Sequence, residues 1–501
     1  MDDYLKEIRE KVGHRPLVIP HAVVMVLSPN REILFEERAD DGYYDFPGGG
    51  IDPNETAEEA AKRELYEETG LIADSLRLLN IYSGEVTYYK YANGDEIYGV
   101  DVVYVCDKYH GELRPQLEEV KDLRFFHANS LPQKLSKRNQ AIIKDWCMEL
   151  KEVVKKFTVD NEILDISPLG NGHINSTFLV RVKDDKDYVL QRINTNVFKD
   201  VDLLMNNTHS VSRYLRHHGF ESLKVIHTRD DQLYFRDDTS CYRLYLYIQN
   251  TICYEAITSI DLLVNAGKAF GRLHKALAAF DAKDLGEVIP NFHNTPKRYR
   301  DLQEAINLDK LNRKQNCLKE IAQVEQFKDE LSYVVDGIKD GSIHLGVTHN
   351  DPKINNVLFD KDSGQIRAVI DLDTIMPGSF LYDVGDAYRS LFTGDNEDST
   401  DLSRLVVNYD VFENYLRGYL SEMKETLSPR EVELLPFSAF LLTIECGMRF
   451  LEDYLRGDVY FKTKYEEHNL VRARTQIKLA NEIHQHFDEL KDIVDKLMKE
   501  N

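Results

Sequence analysis

Positive charge is scarce in this chain: 63 Lys and Arg stand against 86 Asp and Glu, a net charge of −23 over 501 residues. Phosphate backbones and anionic membranes reward a basic face, so neither nucleic acid nor a membrane is expected as the main partner. An acidic chain can still bind a nucleotide, provided divalent metal, local Lys or Arg, or backbone N–H groups meet the phosphates. Cysteine is sparse too. Cys106, Cys147, Cys241, Cys253, Cys317 and Cys446 are scattered, with no CxxC and no zinc-ligand spacing, so buried free thiols in a reducing compartment are expected. No apolar run approaches the ~18 residues a membrane span needs. The opening "MDDYLKEIREKVGHRP" is charged and lacks the apolar core of a secretory leader, and a cytoplasmic location is the expectation. Nothing in the sequence sets the oligomeric state.

What is present suits a soluble globular protein. Hydrophobic residues make up 42% and charged residues 30%, and the length suggests about three compact units. "PHAVVMVL" (20–27) and "YGVDVVYVC" (98–106) read as strands from their β-branched density. The Gly- and Pro-rich "GYYDFPGGGIDPNE" between them is loop chemistry, and a helix is expected at about 57–69. Residues 131–156 read as one helix with Pro132 in its first turn. The pattern then restarts: 163–193 alternates like a hairpin around a glycine turn, and helices dominate afterwards, broken by strand-like 241–249 and 357–373. The expected boundary falls near 147–157, with the two parts joined stiffly.

The first chemical constellation lies in "GGIDPNETAEEAAKRELYEETGL". Thr56 followed by Glu59 fits a capping box, and Gly70 sits where a left-handed C-terminal residue is wanted. At about 100° per residue, Glu64, Glu67 and Glu68 fall within roughly 100° of arc. Carboxylates so close repel one another unless a cation lies among them, and hard oxygen ligands suit Mg²⁺ or Mn²⁺. The spacing resembles the Nudix box, G-x5-E-x7-R-E-U-x-E-E-x-G-U, at every specified position from Gly49 to Leu71. The resemblance covers about 15–145 and implies an α/β/α sandwich. It further implies that Glu64, Glu67 and Glu68 bind metal, that Glu64 activates water, that Arg63 orients a carboxylate and that Glu119 is a downstream acidic partner. The implied reaction is attack of water on a nucleoside diphosphate linked to some group X.

The second constellation has three parts in order. "PLGNGHINSTFLV" (168–180) is a strand-turn-strand in which Gly170, Asn171 and Gly172 let backbone N–H groups approach phosphates. "HNDPKINN" supplies Asp351 and Asn356, and "AVIDLDTIMPG" puts Asp371 after an apolar strand. Phosphoryl transfer needs an oriented acceptor relieved of its proton, which suits Asp351, and metal bridging the ATP phosphates, which suits Asn356 and Asp371. Asp383, in "LYDVGDAYRS", reads as support for the catalytic loop. The strand expected to carry a phosphate-binding lysine reads "YVLQRI" and offers Arg192, or by the other strand face Gln191.

The set resembles the aminoglycoside phosphotransferase and choline kinase superfamily, and within it the N-acetylhexosamine 1-kinase group, over about 160–470. That implies a two-lobed fold, a small β-rich lobe (about 158–250) and a large helical lobe (about 251–501). It also implies adenine held by backbone near Tyr247 and Ile248, Arg449 and Tyr460 facing a sugar, and ATP as co-substrate. Limits of 1–147 and 148–501 follow for the two domains. The expected function is a bifunctional enzyme acting on small-molecule sugar and nucleotide substrates. The alternative is a kinase of another small alcohol (choline, an aminoglycoside or homoserine) with the first domain as a nucleotide sensor.

Overall fold

The computed structural model describes residues 8–29, 31–39, 42–91, 93–116, 120–170, 174–183, 186–238, 240–393 and 397–500. Two compact units emerge: Met1–Lys199 with Val225–Tyr247, and Asp200–Lys224 with Ile248–Asn501.

In the first unit, a four-stranded sheet runs β4 (Gly48–Gly50), β1 (Leu17–Val26), β6 (Glu96–Gly111), β5 (Leu71–Lys90), with β1 parallel to β6 and the other pairs antiparallel. A smaller sheet runs β3 (Tyr44–Asp45), β2 (Ile33–Arg38), β7 (Val120–Phe126). The run "AVVMVL" is continuous in hydrophobicity because β1 is buried on both faces. Ala22, Val24 and Val26 enter one core, and Val23, Met25 and Leu27 the other. Helix α1 (Ala57–Thr69) lays Ala60, Ala61 and Leu65 on the first of these cores. It begins at the Thr56–Glu59 capping box and stops at Gly70, whose φ is 73°.

The single helix expected over 131–156 is corrected. The structure has α2 (Lys137–Met148) and a short α3 (Lys151–Val154), and Pro132 precedes both. Ser136 is the reason: its side chain accepts from the Asn139 N–H at 3.1 Å and sets the helix start there. Glu149, at the interruption, is held by both guanidinium nitrogens of Arg77.

A six-stranded antiparallel sheet completes the first unit: β11 (Val225–Ile226), β13 (Cys241–Leu246), β10 (Tyr188–Ile193), β9 (Ser176–Val182) and β8 (Ile163–Pro168), with β12 (Phe235–Arg236) on β13. One face carries Ile166, Phe178, Val180, Leu190 and Leu244, and these share a single core with Ile142, Ile143 and Cys147 of α2 and with Val23 and Met25 of β1. Trp146 meets Phe178 edge-on at 6.3 Å between centroids. Asn129 clasps the same sheet: its amide donates to the Leu169 and Thr177 carbonyls (3.0 and 2.6 Å) and accepts from the Thr177 N–H (2.9 Å). The expected boundary at 147–148 therefore lies inside one compact unit, and residues 200–224 go with the other.

The second unit is mostly helical. Helices α5 (Ile260–Leu277) and α8 (Tyr409–Met423) cross with backbones in contact, since a Cβ on Gly267 would lie 2.0 Å from the Tyr415 carbonyl oxygen and one on Gly418 1.9 Å from that of Val264. Its largest core gathers α7 (Phe380–Thr393), α8 and α9 (Leu435–Arg456). Short hairpins carry the loops of interest: β15 (Gly346–Thr348) with β18 (Met376–Gly378), and β16 (Val357–Asp360) with β17 (Ile366–Val369). A β-rich sheet region and a large helical region thus follow an α/β/α body, as expected. All six cysteines are unpaired, though Cys253 is exposed and Cys446 only partly buried. No helix among the described residues is long and apolar enough to cross a membrane.

Asn129 is 6% exposed, and Asn129→Ala leaves the Thr177 N–H without its partner. The expected loss is about 1–3 kcal/mol of first-unit stability in a denaturant titration. An unchanged midpoint would show that the clasp carries no load.

Candidate active sites

Helix α1 directs its carboxylates at the glycine strand β4. Arg63 grips Glu55 with two nitrogens (2.9 and 2.8 Å), touches Glu64 (2.6 Å) and Glu67 (3.3 Å), and donates to the Gly50 carbonyl (3.0 Å). Glu68 is buried and accepts from the Gly48 N–H at 2.7 Å. Glu64 presses so closely on Gly49 that a Cβ there would meet its Oε1 at 2.5 Å, which is why the strand is built of glycine. Among the described residues no three His, Cys, Asp or Glu side chains gather for a metal: Glu64 and Glu67 turn to Arg63, and Glu68 turns to the Gly48 backbone. The donors still fit a hard cation, because Glu64 and Glu68 both lie against the Gly48–Gly49 backbone with oxygen ligands only. Glu119 lies outside the described residues.

Sequence reasoning missed Glu36. It sits on β2 at 6% exposure, its Oε2 has no hydrogen-bond partner, and its carboxyl meets that of Glu68. Burial, then Asp45, pushes Glu36 up to about 8; burial, then Glu36, pushes Glu68 up. The available signal was parity, since Glu36 follows Leu34 on the strand face that meets α1.

In the second unit the loop between β15 and β16 holds Asp351 and Asn356. The Asn356 amide donates to the Asp351 carbonyl (2.9 Å) and to its Oδ2 (3.2 Å). Lys353, given no role by the sequence reading although it lies two residues after Asp351, reaches Asp351 Oδ1 at 2.8 Å. The Ile370 N–H donates to the Asn356 carbonyl at 2.9 Å, which seats exposed Asp371, in a left-handed conformation (φ 59°), one residue beyond. Asp383 underlies the loop: its carboxylate takes the N–H groups of His349 (2.7 Å) and Asn350 (2.6 Å), and His274 Nε2 lies 2.7 Å from it. Burial drives the Asp383 carboxyl up, but the His274 hydrogen bond and neighbouring charge hold it below its ordinary value. Asn350 is buried at φ 64° and donates to the Thr348 and Thr374 carbonyls. Asn tolerates that left-handed geometry better than most residues.

Arg449 lies over three rings, Phe292 (5.4 Å), Phe461 (5.6 Å) and Tyr460 (5.8 Å), and has no ion pair among the described residues. Tyr460 is 65% exposed, its N–H anchored on Asp453. Arg298, which sequence reasoning also missed, bonds the Phe292 carbonyl; burial, then Arg449, pushes its guanidinium down.

Gly170 is exposed with φ 73°, whereas Asn171 and Gly172 lie outside the described residues. The expectation for Arg192 is corrected. Strand alternation puts it on the face of Leu190 and Phe178, with its Nε on Ser240 and its Nη2 at 3.5 Å from the Pro29 carbonyl. Gln191 faces the other side and donates to Thr177 Oγ1 (3.0 Å) while accepting from Arg243 (2.9 Å). Tyr247 N–H bonds the Asp187 carbonyl, and the Ile248 carbonyl accepts from Thr251.

The Glu36–Glu68 pair sets a pH dependence. A carboxyl raised above its unfolded value keeps its proton in the fold while the unfolded chain has lost it, so its contribution is full in acid and disappears as pH rises toward about 8. Metal-free protein is expected to melt lower at pH 8 than at pH 5.5, with a smaller difference in Glu36→Gln; equal slopes for both proteins would contradict the shift.

Residues 18–147 match the NUDIX domain model, and residues 165–419 match that of the phosphotransferase enzyme family (APH). An ADP-ribose pyrophosphatase of Methanocaldococcus jannaschii is 34% identical over 128 residues, 25% of this chain and 71% of that protein. A putative 8-oxo-dGTP diphosphatase of Bacillus subtilis is 46% identical over 61 residues, 12% of this chain and only 41% of that protein's length. Among solved structures, that of the microcompartment-associated aminopropanol kinase matches 69% of this chain and 98% of its own, at 16% identity and TM-score 0.49. The chain belongs to the phosphotransferase enzyme family through residues 165–419, and it carries a NUDIX domain at residues 18–147.

Proposed function

We propose that the chain is a bifunctional enzyme whose kinase part, within 148–501, phosphorylates the anomeric hydroxyl of an N-acetylhexosamine. Its hydrolase part, within 1–147, cleaves a nucleoside diphosphate linked to a sugar. The observation that carries the kinase reading is the loop in which Asn356 holds Asp351 while Asp383 holds the backbone of His349 and Asn350. In that reading Asp351 takes the proton of the acceptor hydroxyl as its oxygen attacks the γ-phosphoryl group of ATP, and ADP leaves. Asn356 and Asp371 would hold Mg²⁺ or Mn²⁺, which neutralises the phosphate charge. The Gly170–Gly172 turn and Gln191 serve the phosphates, and backbone near Tyr247 and Ile248 serves the adenine.

Arg449 and Arg298 are close enough for one to depress the other, with Glu445 and Glu452 also facing Arg298. An Arg fork and the Tyr460 phenol suit hydroxyls and an amide carbonyl. For the hydrolase, the identity to the ADP-ribose pyrophosphatase supports a diphosphate joined to a sugar. Glu64, Glu67 and Glu68 would hold the metal, and Glu64, beside Arg63, would take a proton from water.

Two outcomes are expected. Asp351→Asn lowers kinase turnover by about 10²–10⁴-fold and leaves pyrophosphatase turnover unchanged, while Glu67→Gln does the reverse. Loss of both activities in either variant would break the two-site reading. In an ADP-release assay with N-acetylglucosamine, N-acetylgalactosamine, choline and kanamycin, an N-acetylhexosamine is expected to give the highest kcat/KM, and a preference for choline would overturn the assignment.

A further inference from the structure

Asn129 joins two parts of the chain that the family matches divide: it lies within residues 18–147, and its side chain bonds residues within 165–419. Leu169 and Thr177 continue the antiparallel ladder of β8 and β9 one step beyond Pro168 and Phe178, and the turn opens at Gly170. In a hydrogen-bonded antiparallel pair the two residues exchange both backbone bonds. One bond is direct here, from the Leu169 N–H to the Thr177 carbonyl at 2.9 Å. The other runs through Asn129. The Thr177 N–H donates to Asn129 Oδ1 at 2.9 Å, and Asn129 Nδ2 donates to the Leu169 carbonyl at 3.0 Å. The same Nδ2 also reaches the Thr177 carbonyl at 2.6 Å. A side-chain amide thus stands in the ladder as a third peptide group, and it spaces the two arms where the turn begins.

This wedge is fixed from its own side. Asn129 follows the end of β7 by three residues, and Ala128 is buried in the core that β1 and α2 share with the kinase sheet. The Asn129 N–H donates to His127 Nδ1 at 3.3 Å and the Ser130 N–H to the His127 carbonyl at 2.9 Å, which closes a tight turn around it. On the other side, Thr177 carries the constraint onward. Its Oγ1 accepts from Gln191, and Gln191 accepts from buried Arg243. Thr177, Gln191 and Arg243 stand opposite one another across β9, β10 and β13. The two elements assigned above to the ATP phosphates, the turn from Gly170 and Gln191, therefore meet at Thr177. Both backbone polar groups of Thr177 are held by Asn129.

We infer that Asn129 is a positioning residue for the kinase nucleotide, supplied by the NUDIX part of the chain. The inference rests on the proposed reading of the second domain as an ATP-dependent kinase. Asn129 acts through Leu169 and Thr177: its amide sets the spacing of the arms from which the turn and Gln191 meet the phosphates. Without it the ladder is free to close on a direct bond from Thr177 to Leu169, and the turn starts from a different place. One domain thereby sets the substrate affinity of the other without sharing its chemistry.

The test is steady-state kinetics on full-length protein, wild type and Asn129→Ala, with ATP, Mg²⁺ and N-acetylglucosamine for the kinase and ADP-ribose for the hydrolase. Asn129→Ala is expected to raise the KM for ATP about tenfold, with the KM values for N-acetylglucosamine and ADP-ribose unchanged. Asn129→Ser, whose hydroxyl can still accept from the Thr177 N–H, is expected to fall between the two. A role in stability alone lowers only the active fraction. An equal fall in both turnovers with every KM unchanged therefore overturns the inference and leaves the kinase reading intact, whereas a wild type that binds no ATP overturns both. Should the variants fail to fold, amide hydrogen exchange of wild type decides: exchange at Thr177 is expected to slow when a non-hydrolysable ATP analogue and Mg²⁺ are added, and an unchanged rate contradicts the proposal.

Discussion

The loop that carries Asp351 and Asn356 is held by one buried carboxylate. Asp383 has almost no exposed surface, yet it carries charge, and it is tolerated there because its oxygens are met by two backbone N–H groups and by His274. His274 belongs to α5 and is itself met at Nδ1 by the Tyr419 hydroxyl of α8 at 2.9 Å. Those two helices approach closely enough for this only because Gly267 and Gly418 let their backbones touch. The geometry of Asp351 and Asn356 thus depends on a carboxylate, an imidazole, a phenol and two glycines, all remote from Asp351 in sequence and connected to it through the fold.

How much of this could be read in advance differs by element. Helix α1 was legible to the residue, because the Thr56–Glu59 box and Gly70 are local signals that need no tertiary information. The helix after it was misjudged because propensity over 131–156 masks Ser136, a single side chain that sets the start. Asp351, Asn356 and Asp371 were singled out by spacing, and the loop brings the first two together. Arg192 was chosen for its charge, and strand parity, visible only once the core face of β10 is known, put it on the other side. Glu36 and Arg298 escaped because each acquires its meaning from a residue distant in sequence: Glu68 and Arg449 respectively. Long-range partners leave no period or motif behind.

The two family matches share one compact unit. The sheet that carries Gly170 is buried against α2 and β1 of the NUDIX domain, and Asn129 bonds the backbone at Leu169 and at Thr177. In a protein of net charge −23, any phosphate group has to be met locally, and glycine backbone is available at β4 and at Gly170. Acidic clusters elsewhere are balanced pair by pair, as at Arg63, rather than by a basic surface.

The most direct measurement is ³¹P NMR of the product formed by full-length protein from ATP, Mg²⁺ and N-acetylglucosamine. The account predicts a phosphomonoester resonance split by the anomeric proton of the sugar, with ADP formed in equal amount. A phosphate on any other hydroxyl, or ADP formed without a sugar phosphate, would contradict it.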